Sequence, residues 1–239
     1  DDALIFEDQA LVEVVLAAEP NGWYATVGPL ARYLDPDVPD GNPASPGLRG
    51  TDARFEAGAR ASAGFEIVDD GALPTRGIRL DLEATGIRFS ESGADPWGRA
   101  SGEVRGYVPL PIPPGPVLAL RVGGQRAWGA FPIHGAARLG GNASLRGFRW
   151  QRFAGDAAVY GGADLRIPLF RANLYLARGR LGVIGLADAG RVYVDGESAG
   201  DWHTGHGAGL YFETLETAVY GVWARGSEDR FYVGLGLPF

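Results

Sequence analysis

The chain has 239 residues, a net charge of −7 and no cysteine. Without cysteine there is no disulfide framework, thiol nucleophile or Cys-ligated metal, and an acidic balance with no basic run excludes a nucleic-acid surface. Thirty-eight glycines beside 46% apolar residues suit many strands broken by turns, and suit helices badly, because an interior glycine costs about 1 kcal/mol relative to alanine.

A short strand is expected at 3–7, followed by strands at 11–18 and 23–33. The strongest periodic stretch is 54–68. Phe55, Ala57, Ala59, Ala61, Ala63, Phe65 and Ile67 occupy one face, while Arg54, Glu56, Gly58, Arg60, Ser62, Gly64 and Glu66 occupy the other. A soluble strand is typically about five or six residues, so this length with one wholly apolar face fits a lipid-facing wall around a wet lumen. A half-buried sandwich strand is the alternative. Next, Ile78, Leu80, Leu82 and Ala84 alternate with Arg79, Asp81, Glu83 and Thr85. The parity then slips at Gly86, making Ile87 and Phe89 the apolar pair, as a β-bulge would.

Further strands are expected at 100–108, 117–128, 157–167, 181–193, 205–212, 217–224 and 230–239. The total is about twelve, and an even count suits a closed bacterial barrel. Connections alternate between short ones (19–22, 69–75, 109–116, 213–216) and long ones (34–52, 90–99, 129–156, 194–202), with 170–179 departing mildly. Outer-membrane barrels keep short turns in the periplasm and long loops outside. Trp23, Tyr33, Trp97, Trp128, Tyr193, Trp202, Tyr211 and Trp223 crowd the strand ends, where interfacial girdles lie. No apolar run reaches the ~18 residues of a spanning helix, and alternating barrel strands escape such a search. With no signal peptide and no initiating Met, the chain reads as a mature or trimmed form.

At the C-terminus, Phe231, Val233, Leu235, Leu237 and Phe239 fall on alternate positions and the chain ends on Phe. That pattern resembles the terminal recognition signal of bacterial outer-membrane barrels. Upstream, Gly140-Gly141-Asn142-Ala143-Ser144-Leu145-Arg146-Gly147-Phe148 is similar to the Arg-Gly-Phe/Tyr motif of the BamA/TamA assembly and translocation family, also called the bacterial surface antigen family. The resemblance continues through 161–169 (Gly-Gly-Ala-Asp-Leu-Arg-Ile-Pro-Leu), 185–190 (Gly-Leu-Ala-Asp-Ala-Gly) and the terminal strand, covering 140–239 in the family's order.

The resemblance implies an all-β transmembrane antiparallel barrel in the bacterial outer membrane, with the 129–156 loop folded back into the lumen. Leu145, Arg146, Gly147 and Phe148 would be the loop-anchoring motif. Arginine pairs with carboxylates through a planar, multi-donor head. Asp164 lies on the polar face of its strand, and Asp188 sits in a Gly/Ala-rich strand that permits close backbone approach, so Arg146 is expected to meet Asp188, Asp164 or both. The alternative is a set of wet lumenal charges with no mutual contact. Translocating members of the family carry periplasmic POTRA domains and sixteen strands. The chain is therefore expected to be a reduced form without POTRA domains, or the barrel portion of a longer protein, with 1–239 as one domain.

Little in the sequence points to chemistry. His203 and His206 lie beside Asp201, but positions three apart on a strand face opposite ways, so no metal site is expected. Ser144, Ser198 and Ser227 sit in no nucleophile motif, and Asp195, Glu197 and Asp201 read as a solvated loop rather than a calcium site. No enzyme activity and no cofactor are expected. The expected partners are the lipid bilayer, with client outer-membrane proteins or a periplasmic partner as candidates. Two roles lead, an insertion or translocation barrel for proteins or lipid with a weak first/last-strand seam and a passive pore or membrane anchor for partner proteins, and an outer-membrane enzyme is a weaker third.

Overall fold

The two-residue period becomes long antiparallel strands. A computed structural model describes residues 6–13, 15–18, 22–37, 53–69, 71–90, 95–173, 178–197 and 200–236. The strands are β1 (Phe6–Glu13), β2 (Leu16–Ala18), β3 (Trp23–Asp37), β4 (Arg54–Val68), β5 (Gly77–Ser90), β6 (Trp97–Pro109), β7 (Val117–Gly129), β8 (Ala137–Leu139), β9 (Phe153–Gly155), β10 (Ala157–Asn173), β11 (Arg178–Tyr193), β12 (His203–Glu213), β13 (Ala218–Arg225) and β14 (Asp229–Leu235). Twelve form one antiparallel sheet, eleven side by side in chain order with β2 following β1 along β3, while β8 and β9 form a small ribbon inside the loop between β7 and β10. The expected barrel-type wall of about twelve strands is borne out.

Two local expectations need correction. The first is the separate short strand at 3–7. Phe6 and Glu7 instead begin β1, which runs unbroken through Leu11 to Glu13, whereas residues 3–5 lie outside the described residues. β2 keeps the register of β1 on β3, Glu13 lying opposite Leu30 and Leu16 opposite Val27. The second is the parity slip at Gly86. Alternation carries on through Ile87, which is buried with Leu30, Trp97 and Phe131. The extra residue is Arg88, since Gly58 faces Ile87 and Ala57 faces Phe89. An apolar residue on the wet side hides the slip from a hydropathy reading.

The outer face is apolar and bare. Val27, Ile67, Leu82, Val122, Leu210, Phe231, Val233 and Leu235 are all exposed, Leu235 at 78%. A water-soluble monomer rarely shows apolar patches on this scale, and a lipid-facing band requires them. The inner face holds the charges: Glu56, Arg121, Asp164, Arg166 and Asp188 are all buried. Strands of thirteen to seventeen residues in β4, β6, β7, β10 and β11 exceed the ~9–11 needed to cross a bilayer.

The short turn between β4 and β5 does more than connect. Asp69 accepts hydrogen bonds from the backbone N–H groups of Thr75 and Arg76 at 2.8 and 2.9 Å, and from the Thr75 hydroxyl. Burial would raise its pKa, but these bonds outweigh that and hold the carboxyl below its ordinary value. So braced, the turn crosses the lumen and buries Leu73 among Ile184, Leu186, Tyr211, Tyr220 and Val222 of β11–β13. Truncating a buried leucine typically costs about 2–5 kcal/mol. Leu73→Ala is therefore expected to lower the urea midpoint of the folded barrel, read by heat-modifiable gel mobility. An unchanged midpoint would show that the turn is not seated there.

Candidate functional site

The loop at 130–156 leaves β7, crosses the lumen and returns to β10. A 3-10 turn at Ile133–Gly135 presents His134 to β3 and β4. Arg32 and Arg54 clasp the two oxygens of Glu56 at 2.8 and 2.9 Å, and His134 closes the cluster, its ring nitrogens 2.9 Å from Arg32 and 3.0 Å from Arg54. The Trp97 indole meets the His134 ring edge-on. This ties the start of the loop to one part of the wall.

Its tip is held by another. Arg146, 1% exposed, donates from Nε and Nη2 to both oxygens of Asp188 at 2.7 Å each. It reaches both oxygens of Asp164 from Nη1 and Nη2, at 3.2 and 2.7 Å. The Arg146 backbone N–H also donates to Asp188, at 3.0 Å. Arg146 thus meets both candidate carboxylates, on neighbouring strands β10 and β11 where Gly162 lies opposite Asp188 and Asp164 opposite Leu186. Burial would lower the Arg146 pKa, but the hydrogen bond to Asp188 and the charge of Asp164 outweigh it and raise it.

A second buried cation completes the charge balance. Arg121 on β7 donates to the Ala143 and Ser144 carbonyls at 2.7 and 3.3 Å and lies 3.5 Å from Asp188. Two arginines therefore face two aspartates. Leaving such a set half-made is costly because the survivors stay desolvated.

The flanking motif residues work through shape. Leu145, fully buried, packs with Ala137, Leu139, Phe148 and Ala158. Gly147 has φ +88°, and a Cβ there would lie 2.4 Å from the Gly226 nitrogen in the β13–β14 turn. Only glycine suits both the left-handed backbone and that approach. The Gly147 N–H donates to the Tyr232 hydroxyl at 3.2 Å, which donates to the Phe148 carbonyl at 3.3 Å. Asn142 donates to Tyr220 at 2.6 Å. Phe148 contacts His203 edge-on, and His203 stacks on Phe153 at 3.9 Å. His203 and His206 thus lie on β12, not in the loop before it, and His203 serves loop packing.

Phe231, Val233 and Leu235 point outward from β14, while Leu237 and Phe239 lie outside the described residues. Sequence reasoning missed Arg121, Tyr220, Tyr232 and the Arg32–Arg54–Glu56–His134 cluster. Parity puts Arg121 on the wet face, but the same is true of Arg105 and Arg166, so no signal separated it.

The sequence matches the Omp85 superfamily domain over residues 12–237. The chain belongs to the Omp85 superfamily. Comparison with curated proteins gives no match. Among solved structures, this Omp85 chain is similar to BamA from Haemophilus ducreyi lacking POTRA domains 1–3, with a TM-score of 0.70 at 17% identity. The alignment covers 96% of this chain and 54% of that one, so the Omp85 chain spans about half the length of the structure it matches. The likeness is one of fold, and with the superfamily match it bears out the resemblance to BamA/TamA-type barrels.

Proposed function

We propose that this Omp85 barrel resides in the bacterial outer membrane and helps insert or translocate proteins, or lipid, there without covalent chemistry of its own. A client strand would pair at the seam between the first and last strands, by the same main-chain hydrogen bonding that adds a strand to any free sheet edge. The observation that carries this reading is the state of those strands. Among the described residues, β1 pairs only β3 and β14 only β13, so each keeps one row of backbone groups available. Gly234 within β14 adds a strand-weakening residue. Against a passive pore stand the two elements that occupy the lumen: the anchored 130–156 loop and the Leu73 turn.

The test places one cysteine on β1 (Leu11 or Val12) and one on β14 (Val233 or Leu235), and asks for crosslinking in intact outer membranes. Locking the strands together is expected to stop delivery of new outer-membrane proteins, while each single cysteine leaves it intact. A locked barrel that still supports delivery would overturn the seam reading and favour a sealed anchor.

A further inference from the structure

Strand pairing leaves a notch at the short-turn end of the wall. β10 and β7 pair as far as Arg166 opposite Val117, and β10 then runs on to Asn173 with only β11 beside it among the described residues. A register shift between Pro168 and Phe170 turns the strand, leaving Leu169 and Phe170 exposed on the outside. Under the notch sits the 110–116 turn. A cavity of about 380 Å³ lined by Pro114, Pro168, Leu169, Phe170, Arg171 and Arg180 opens there. A second one of about 290 Å³ shares Pro114, Pro168 and Arg180 with it and leads inward to Arg166.

The charges around this passage are unbalanced. Arg171 lies directly opposite Arg180 across the strand pair, with Arg178 two residues along. Like charges directly opposite one another are destabilising. Glu213, 4.0 Å from Arg180, is the one carboxylate paired with them among the described residues. Arg166 is 2% exposed and gives one hydrogen bond, from Nη1 to the Pro74 carbonyl. Its Nε and Nη2 are buried without a hydrogen-bond partner among the described residues; it faces the Tyr107 ring, and the charges of Asp164 and Glu213 act on it at longer range. A chain of net charge −7 has thus gathered four guanidinium groups beside two bare apolar side chains at one rim. An anion carrying a hydrocarbon tail fits both halves, because guanidinium forks bind phosphate oxygens in pairs and the tail covers Leu169 and Phe170.

We propose that the notch binds a membrane phospholipid, its phosphate between Arg171 and Arg180 with Arg166 behind, and its acyl chains against Leu169 and Phe170. The site goes beyond the seam reading and does not depend on whether the seam opens. It is tested on the folded full chain in detergent, by native mass spectrometry with phosphatidylglycerol, with diacylglycerol of the same chains, and with inorganic phosphate. One phosphatidylglycerol is expected to be retained and diacylglycerol not. Arg171→Gln/Arg180→Gln should weaken retention about tenfold or more, the worth of one charge-assisted bond. Arg171→Gln alone, which spares the partner of Glu213, should weaken it in the same direction. Equal retention of diacylglycerol, or unchanged binding in both variants, would overturn the proposal. Displacement of the lipid by an equal concentration of inorganic phosphate would overturn it too, marking a free-anion site.

Discussion

Arg146→Ala is expected to lower the melting point of the folded barrel by about 10 °C, the largest single-residue loss in the molecule. Two carboxylates that are 0% and 4% exposed would keep Arg121, 3.5 Å from Asp188, and the charge of Arg166 near Asp164, but lose the hydrogen bonds that Arg146 gives them. Removing one partner of a buried ion pair costs about 3–5 kcal/mol, and a domain of this size shifts by roughly 2–4 °C per kcal/mol. Arg146→Lys should recover only part of the loss, because an ammonium cannot engage both carboxylates in the fork geometry. Reversing the pair, Arg146→Glu with Asp188→Arg, should restore part of what Arg146→Glu alone removes. Heating with gel mobility as the readout decides it: an Arg146→Ala barrel that melts with the wild type would refute the anchor.

Gly205→Ala should unseat the same loop without touching a charge. A Cβ at Gly205 would lie 1.9 Å from the Arg146 carbonyl oxygen and 3.1 Å from its carbon. Both atoms are backbone, so no side chain can swing aside and the tip must lift from β12. Overpacking typically costs about 1–3 kcal/mol, and lifting the tip also lengthens the hydrogen bonds from Arg146 to both carboxylates. The expected result is a drop of several degrees, about 5 °C on the same conversion, with faster trypsin cleavage at Arg146, Arg149 or Arg152. Gly185→Ala is the control, since nothing lies within 4 Å of its added Cβ on the outer face. If both variants melt and digest like the wild type, the loop does not rest on β12.

The two variants separate what the local sequence carries from what folding adds. Arg146 sits in a short motif with a turn glycine beside it, and Asp164 and Asp188 sit on the polar parity of alternating strands. Those features are local, so the three residues could be singled out together. Gly205 carries no such mark. Its role depends on a backbone approach between residues far apart in sequence, and it reads as one more glycine in a glycine-rich strand. Ile87 shows the converse. Parity assigned it to the lipid because it is apolar, yet it faces inward to pack against Leu30, Trp97 and Phe131.

By itself, the amino-acid sequence determined the period of the strands, the alternation of short and long connections, and, away from the bulges, the face on which each charge lies. All of these follow from the two-residue repeat of an extended chain and from turn residues acting on their neighbours. Only the tertiary structure decided which inward-facing groups meet. The curvature and register of the sheet bring Arg121 of β7, Asp188 of β11 and Tyr232 of β14 around one loop tip. They also carry Leu73 across the lumen to β11–β13. Parity gives a residue's side of the wall, whereas its height and angle around the lumen depend on every strand pairing before it.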